Sequence, residues 1–141
     1  TAVVALIASP VVAYEKLRVG LDPNRPDAQP VATAATRISG DAPVRWFWGS
    51  AALVNGLPFY LPGARPLNVD PSSAAGHAAS KGEGLLLVCL EGDAPCRASV
   101  AALAGGDAKL RSDDIVIRHT FLGFTGPATT ADVTVVPASP Q

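Results

Sequence analysis

The chain has 141 residues, 48% of them hydrophobic and only 16% charged, with a formal net charge of −1. That length fits one domain, and the near-neutral balance gives no electrostatic basis for binding nucleic acid or an anionic membrane. The charged share is below the roughly 25% usual for soluble domains, which predicts a large covered area or a surface that meets another body.

The chain contains no Met and opens on an uncharged run, Ala2–Ala13. The run is shorter than the roughly 20 apolar residues that cross a bilayer, and it lacks the basic leader of a secretory signal. A helix is predicted over Val3–Val19, divided or kinked at Pro10 and stopped by Gly20. Two readings fit this head: a piece cut just inside or after a transmembrane helix, or a buried amphipathic helix of a self-contained domain. Residues 1–20 are therefore set apart from a single α/β domain over residues 21–141.

Leu21–Pro30 is a polar, turn-forming loop, and Val31–Ile38 a short helix before the turn Gly40–Pro43. Val44–Trp48 reads as a strand dense in aromatics. Gly49-Ser50 then opens a helix, with Ser50 as its cap, reaching to about Leu57 or Tyr60. Leu67–Val69 is a short strand. Asp70-Pro71 starts a helix that runs to about Lys81 and ends at Gly82. Leu85–Leu90 is a continuous apolar run without alternation, the pattern of a strand covered on both faces. Asp93 starts the next helix, which ends at Gly105-Gly106. Ile115–Leu122 alternates as a strand, Gly123–Thr130 reads as a turn, and Val133–Val136 is a last strand closed by Pro137. Three strand–helix units followed by a hairpin predict a small three-layer α/β sandwich, its sheet mostly parallel with a C-terminal antiparallel hairpin.

Cys89 lies late in the buried strand and Cys96 in the first turn of the following helix. A strand end and the next helix start lie within disulfide reach in a βα unit. Three roles stay open: a structural disulfide, which implies an oxidising compartment; two free buried thiols; and a catalytic or metal role, for which the Cys-x-x-Cys spacing is missing.

Catalytic signatures are absent from the sequence. It has no Gly-x-Ser-x-Gly elbow, phosphate-binding loop or dinucleotide fingerprint. His77, in a helix of small residues, is expected to face solvent; His119 is expected to pack on a strand face. Neither has metal-ligand spacing to another donor. Asp113-Asp114 reads as a solvated turn. Trp46 and Trp48, two apart, share one strand face and fit either a core or interface position or a sugar-stacking platform. No catalytic residue, metal or cofactor is expected.

The blocks Val44-Arg45-Trp46-Phe47-Trp48-Gly49-Ser50, Pro58-Phe59-Tyr60-Leu61 and Arg65-Pro66 carry a resemblance. Together they resemble the C-terminal soluble segment of bacterial multi-pass membrane glycosyltransferases similar to the dolichyl-phosphate-mannose–protein mannosyltransferases. The Cys89…Cys96 pair around Glu91-Gly92-Asp93 and the ending Val136-Pro137 fit that type of tail. Ser50 stands where many members carry an acidic residue. The resemblance implies a parent enzyme of the bacterial inner membrane that moves a sugar from a polyprenyl-phosphate carrier to an acceptor on the periplasmic side. The catalytic carboxylates of such enzymes lie in loops between membrane helices. This chain is then expected to be a non-catalytic periplasmic domain, packed on the membrane-embedded portion of the same polypeptide and able to assist the carrier or glycan acceptor. The alternative is a free-standing periplasmic α/β domain that binds a small ligand. In either case Trp48, Gly49, Ser50, Asn55, Tyr60 and Asp70, by the expected strand ends, are the candidate binding residues.

Overall fold

A computed structural model describes residues 28–80, 82–105, 110–121 and 124–138. The expected helix over Val3–Val19 lies outside the described residues, as does the side chain of His119. His77 is exposed, as expected.

The described chain is α/β, a five-stranded mixed sheet with four helices. Helix α1 spans Gln29–Ser39, with Pro30 in its first turn, where a missing N–H costs nothing. Its buried Val31, Ala32, Ala34 and Ala35 form one stripe, and the small alanines let the helix lie close on the sheet. Strand β1 (Val44–Gly49) is paired in parallel with β2 (Arg65–Pro66) on one side and β3 (Gly84–Leu90) on the other. Beyond β3 lie β5 (Phe124–Val136) and then β4 (Arg111–Phe121), both antiparallel to their neighbours. Between β1 and β2 come the short helix α2 (Ala51–Val54) and a 3-10 turn (Leu57–Phe59). Helix α3 (Ala74–Ser80) precedes β3 and α4 (Ala94–Ala104) follows it.

The sheet is thus mixed rather than mostly parallel, because its two longest strands pair antiparallel. Of Gly123–Thr130, expected as a turn, residues 124–130 belong to β5: Thr129 pairs with Ile117 and Thr130 with Val116. Threonine is β-branched and fits a pleated surface. Pro127 is tolerated where the register shifts between Arg118 and Thr120. Asp113 and Asp114 likewise lie inside β4 and not in a turn.

Three other boundaries differ from expectation for local reasons. The helix after Ser50 stops at Val54, since Gly56 and Pro58 follow and both weaken a continuing α-helix. The strand expected at Leu67–Val69 lies at Arg65–Pro66, although the Leu67 N–H still donates to the Phe47 carbonyl at 2.9 Å. The Asp70 carboxylate accepts from the N–H and hydroxyl of Ser72, a local turn that delays α3 until Ala74.

Every side chain of β3 from Leu85 to Cys89 is buried. Leu86 and Val88 join Phe47, Val133, Val135 and Ile117 under α1, α2 and the 3-10 turn. Leu85 and Leu87 turn the other way, to Leu67, Trp46, Trp48 and the Val100 and Leu103 side chains of α4. Helices therefore cover both faces of β3, as its unbroken apolar run predicts.

Candidate functional site

At the carboxyl ends of β1 and β3 the chain leaves for opposite faces, into α2 and into α4. In open α/β sheets such a switch point is where ligands usually settle. Here it is closed. Gly49 has φ +152°, and a Cβ on it would lie 1.8 Å from the Val88 carbonyl oxygen. Ser50 is 5% exposed. Its N–H donates to the Val88 carbonyl at 2.8 Å, and its Oγ donates to Asp93 Oδ2 at 2.6 Å while accepting from the Leu90 N–H at 3.0 Å. Ser50 occupies the cap position of α2, but its hydroxyl is spent on β3 and Asp93 instead. Asp93 in turn caps α4, accepting from the Cys96 N–H at 3.2 Å. Cys89 and Cys96 form a disulfide, Cα to Cα 5.6 Å, between the end of β3 and the first turn of α4.

The six residues expected to bind ligand do not converge. Gly49 and Ser50 lie in this closed seam. Trp48 is half-buried against the α4 side of the sheet. Asn55 is exposed in the turn after α2. Tyr60 lies at the opposite end of β1, lining a cleft of about 280 Å³ with Val44, Leu61 and Gly63. Asp70 is exposed; hydrogen bonds from Ser72 and Ser99 hold its carboxyl below the usual aspartate value.

A second cleft opens at the amino ends of β1 and β2, about 260 Å³, lined by Arg45, Trp46, Gly63, Arg65 and Glu83. Regular alternation would send Arg45 and Trp46 to opposite faces. The β1–β3 register slips at Arg45, with Val44 opposite Gly84 and Trp46 already opposite Leu85. A bulge of this kind re-aims a side chain and is rare in parallel pairs, and here two consecutive residues line one cleft. Arg65 is the register partner of Trp46 on the edge strand. The Trp46 indole N–H donates to Glu83 Oε2 at 2.5 Å. Among the described residues, Arg45 and Arg65 have no hydrogen-bond or ion-pair partner. Trp46 was visible in sequence as a possible platform, whereas Arg45, Arg65 and Glu83 were not, because neither a bulge nor a cross-strand neighbour has a local sequence signature.

A third group comes from three elements. Asp114 and Asp132 lie directly opposite each other on β4 and β5, with Glu91 and Arg97 beside them around a cleft of about 130 Å³. Burial pushes the Asp132 carboxyl up, and the neighbouring Asp114 pushes it further. Among the described residues no group of three or more His, Cys, Asp or Glu is arranged to hold a metal ion, and no helix is long and apolar enough to cross a membrane.

Comparison with protein-family models, with curated proteins and with solved structures finds no match to this chain.

Proposed function

We propose that this chain is a non-catalytic, extracytoplasmic C-terminal domain of a membrane glycosyltransferase that transfers a sugar from a polyprenyl-phosphate carrier. It faces the periplasm at the bacterial inner membrane and packs on the membrane-embedded portion of the same polypeptide, where it can assist carrier or acceptor binding. The observation that carries this is the Cys89–Cys96 disulfide, since such bonds persist in oxidising compartments and are rare in the cytosol. Two further features support it. The residues of the resemblance fall on strand β1, the 3-10 turn and strand β2 of an α/β unit. Phe59 is 86% and Tyr60 45% exposed at the corner of that run, an apolar surface suited to another part of the same protein.

Fractionated cells probed with an antibody to this domain test the proposal. A membrane-bound band several times larger than 14.3 kDa is expected. A soluble band near 14.3 kDa would replace it with a free-standing periplasmic binding domain.

A further inference from the structure

The cleft at the amino ends of β1 and β2 goes beyond this proposal and does not depend on it. We infer that it is a binding site for a hydroxylated phosphate ester, a sugar phosphate in chemical class. Two arginines, Arg45 and Arg65, line one opening without a partner among the described residues. Guanidinium is the side chain best matched to phosphate, because its planar fork donates two parallel hydrogen bonds to two oxygens. An unpaired cation on a surface is ordinary; two in one cleft, one at a register slip of β1 and the other on the edge strand beside it, are not.

The third charge in the cleft decides what the phosphate is attached to. Glu83 would repel a bare anion. One of its oxygens is occupied by the Trp46 indole N–H, and its carboxylate keeps acceptor capacity for ligand hydroxyls. Arginines for phosphate, a carboxylate for hydroxyls and an indole in the lining suit a ligand with an anionic end and a polar ring. The volume of about 260 Å³ lies just below the roughly 300–1,000 Å³ of small-molecule pockets, room for one such unit. Gly63 forms the remaining wall, and it has nothing within 4 Å of where a Cβ would stand, so it leaves the opening clear.

The test is a titration of the full chain followed by the Trp46 indole N–H resonance. The ligands are a hexose 1-phosphate, the free hexose, inorganic phosphate, and phosphatidylcholine vesicles with and without phosphatidylinositol. The hexose phosphate is expected to give a saturable shift that salt weakens, inorganic phosphate a weaker one, and free hexose none. Binding to the phosphatidylinositol vesicles as well assigns a lipid headgroup as the source of the phosphate; binding of the soluble ester alone assigns a soluble metabolite. Arg45→Ala and Arg65→Ala should each weaken binding about tenfold, and Arg118→Ala, on β4, should leave it unchanged. No saturable shift with any ligand overturns the inference. So does an equal response to free hexose, or unchanged affinity in the Arg45→Ala/Arg65→Ala double variant with its melting temperature intact.

Discussion

The two ends of β1 are built on opposite plans. At its carboxyl end, Gly49 lies flat against the Val88 backbone, Ser50 bridges to β3 and Asp93, and the disulfide ties β3 to α4. At its amino end lie a bulge and an open cleft whose two arginines have no partner among the described residues. Parallel sheets usually reserve the carboxyl end for ligands. In this chain that end is a structural seam, because its polar groups satisfy one another. The free hydrogen-bonding capacity is at the other end. Position relative to the strands is therefore a weaker guide to a site than whether the polar groups there still lack partners.

That contrast is open to attack at several points, beginning with the seam. Gly49→Ala should be the most damaging single change. Its Cβ would meet a backbone carbonyl that cannot swing aside, and the positive φ adds strain, so a loss of about 4 kcal/mol or more is expected in urea unfolding. A mild effect would mean that the seam yields. Reduction of the disulfide, or the paired Cys89→Ala/Cys96→Ala change, should cost about 2.5 kcal/mol, the loop-closure value for a sequence separation of 7. Thermal melts with and without reductant measure it. Ser50→Ala leaves the Leu90 N–H and one Asp93 oxygen without their partner, which predicts about 2 kcal/mol. A loss confined to a few tenths would show that water replaces the hydroxyl and that the crevice is more open than the seam implies.

The Asp114–Asp132 pair gives a signed pH prediction. The folded state raises the Asp132 pKa, first by burial and then through Asp114. The folded protein therefore holds that proton more tightly than the unfolded chain. The resulting stability is present at acid pH and is lost as pH rises through the raised folded value. Asp132→Asn should flatten this part of the stability profile and raise the melting temperature at neutral pH. Asp70 has the opposite sign. Hydrogen bonds from Ser72 lower its pKa, so its stabilisation is present above the ordinary aspartate value and fades on acidification. Melting curves between about pH 3 and pH 7 distinguish the two groups. The smallest effect belongs to the open end: Arg45→Ala and Arg65→Ala should each change stability by less than about 0.5 kcal/mol. Substantial destabilisation would make them structural residues and erase the contrast.

Much of this architecture was legible in the residues themselves. The unbroken run Leu85–Leu90 announced a strand covered on both faces, and Asp93 announced the start of α4, because periodicity and capping are local properties. The Cys89–Cys96 bond was one of three open roles, and the structure decides for it. The β4–β5 hairpin was undercounted at Gly123–Thr130, where Gly and Pro speak for a turn and only cross-strand pairing outweighs them.

The candidate site was the least legible part. Trp48, Gly49, Ser50, Asn55, Tyr60 and Asp70 are close in sequence, yet the fold distributes them among a seam, a core face, two exposed turns and the opposite end of β1. Arg45 and Glu83, 38 positions apart, share one cleft. Sequence by itself determined that β1, β3, α1 and α4 form and which strand lies deepest, since those follow from hydrophobic period, caps and breakers. Only the tertiary structure decided strand order, the bulge at Arg45 and which polar groups were left unsatisfied. Those depend on pairing between distant segments, and no local pattern of residues encodes them.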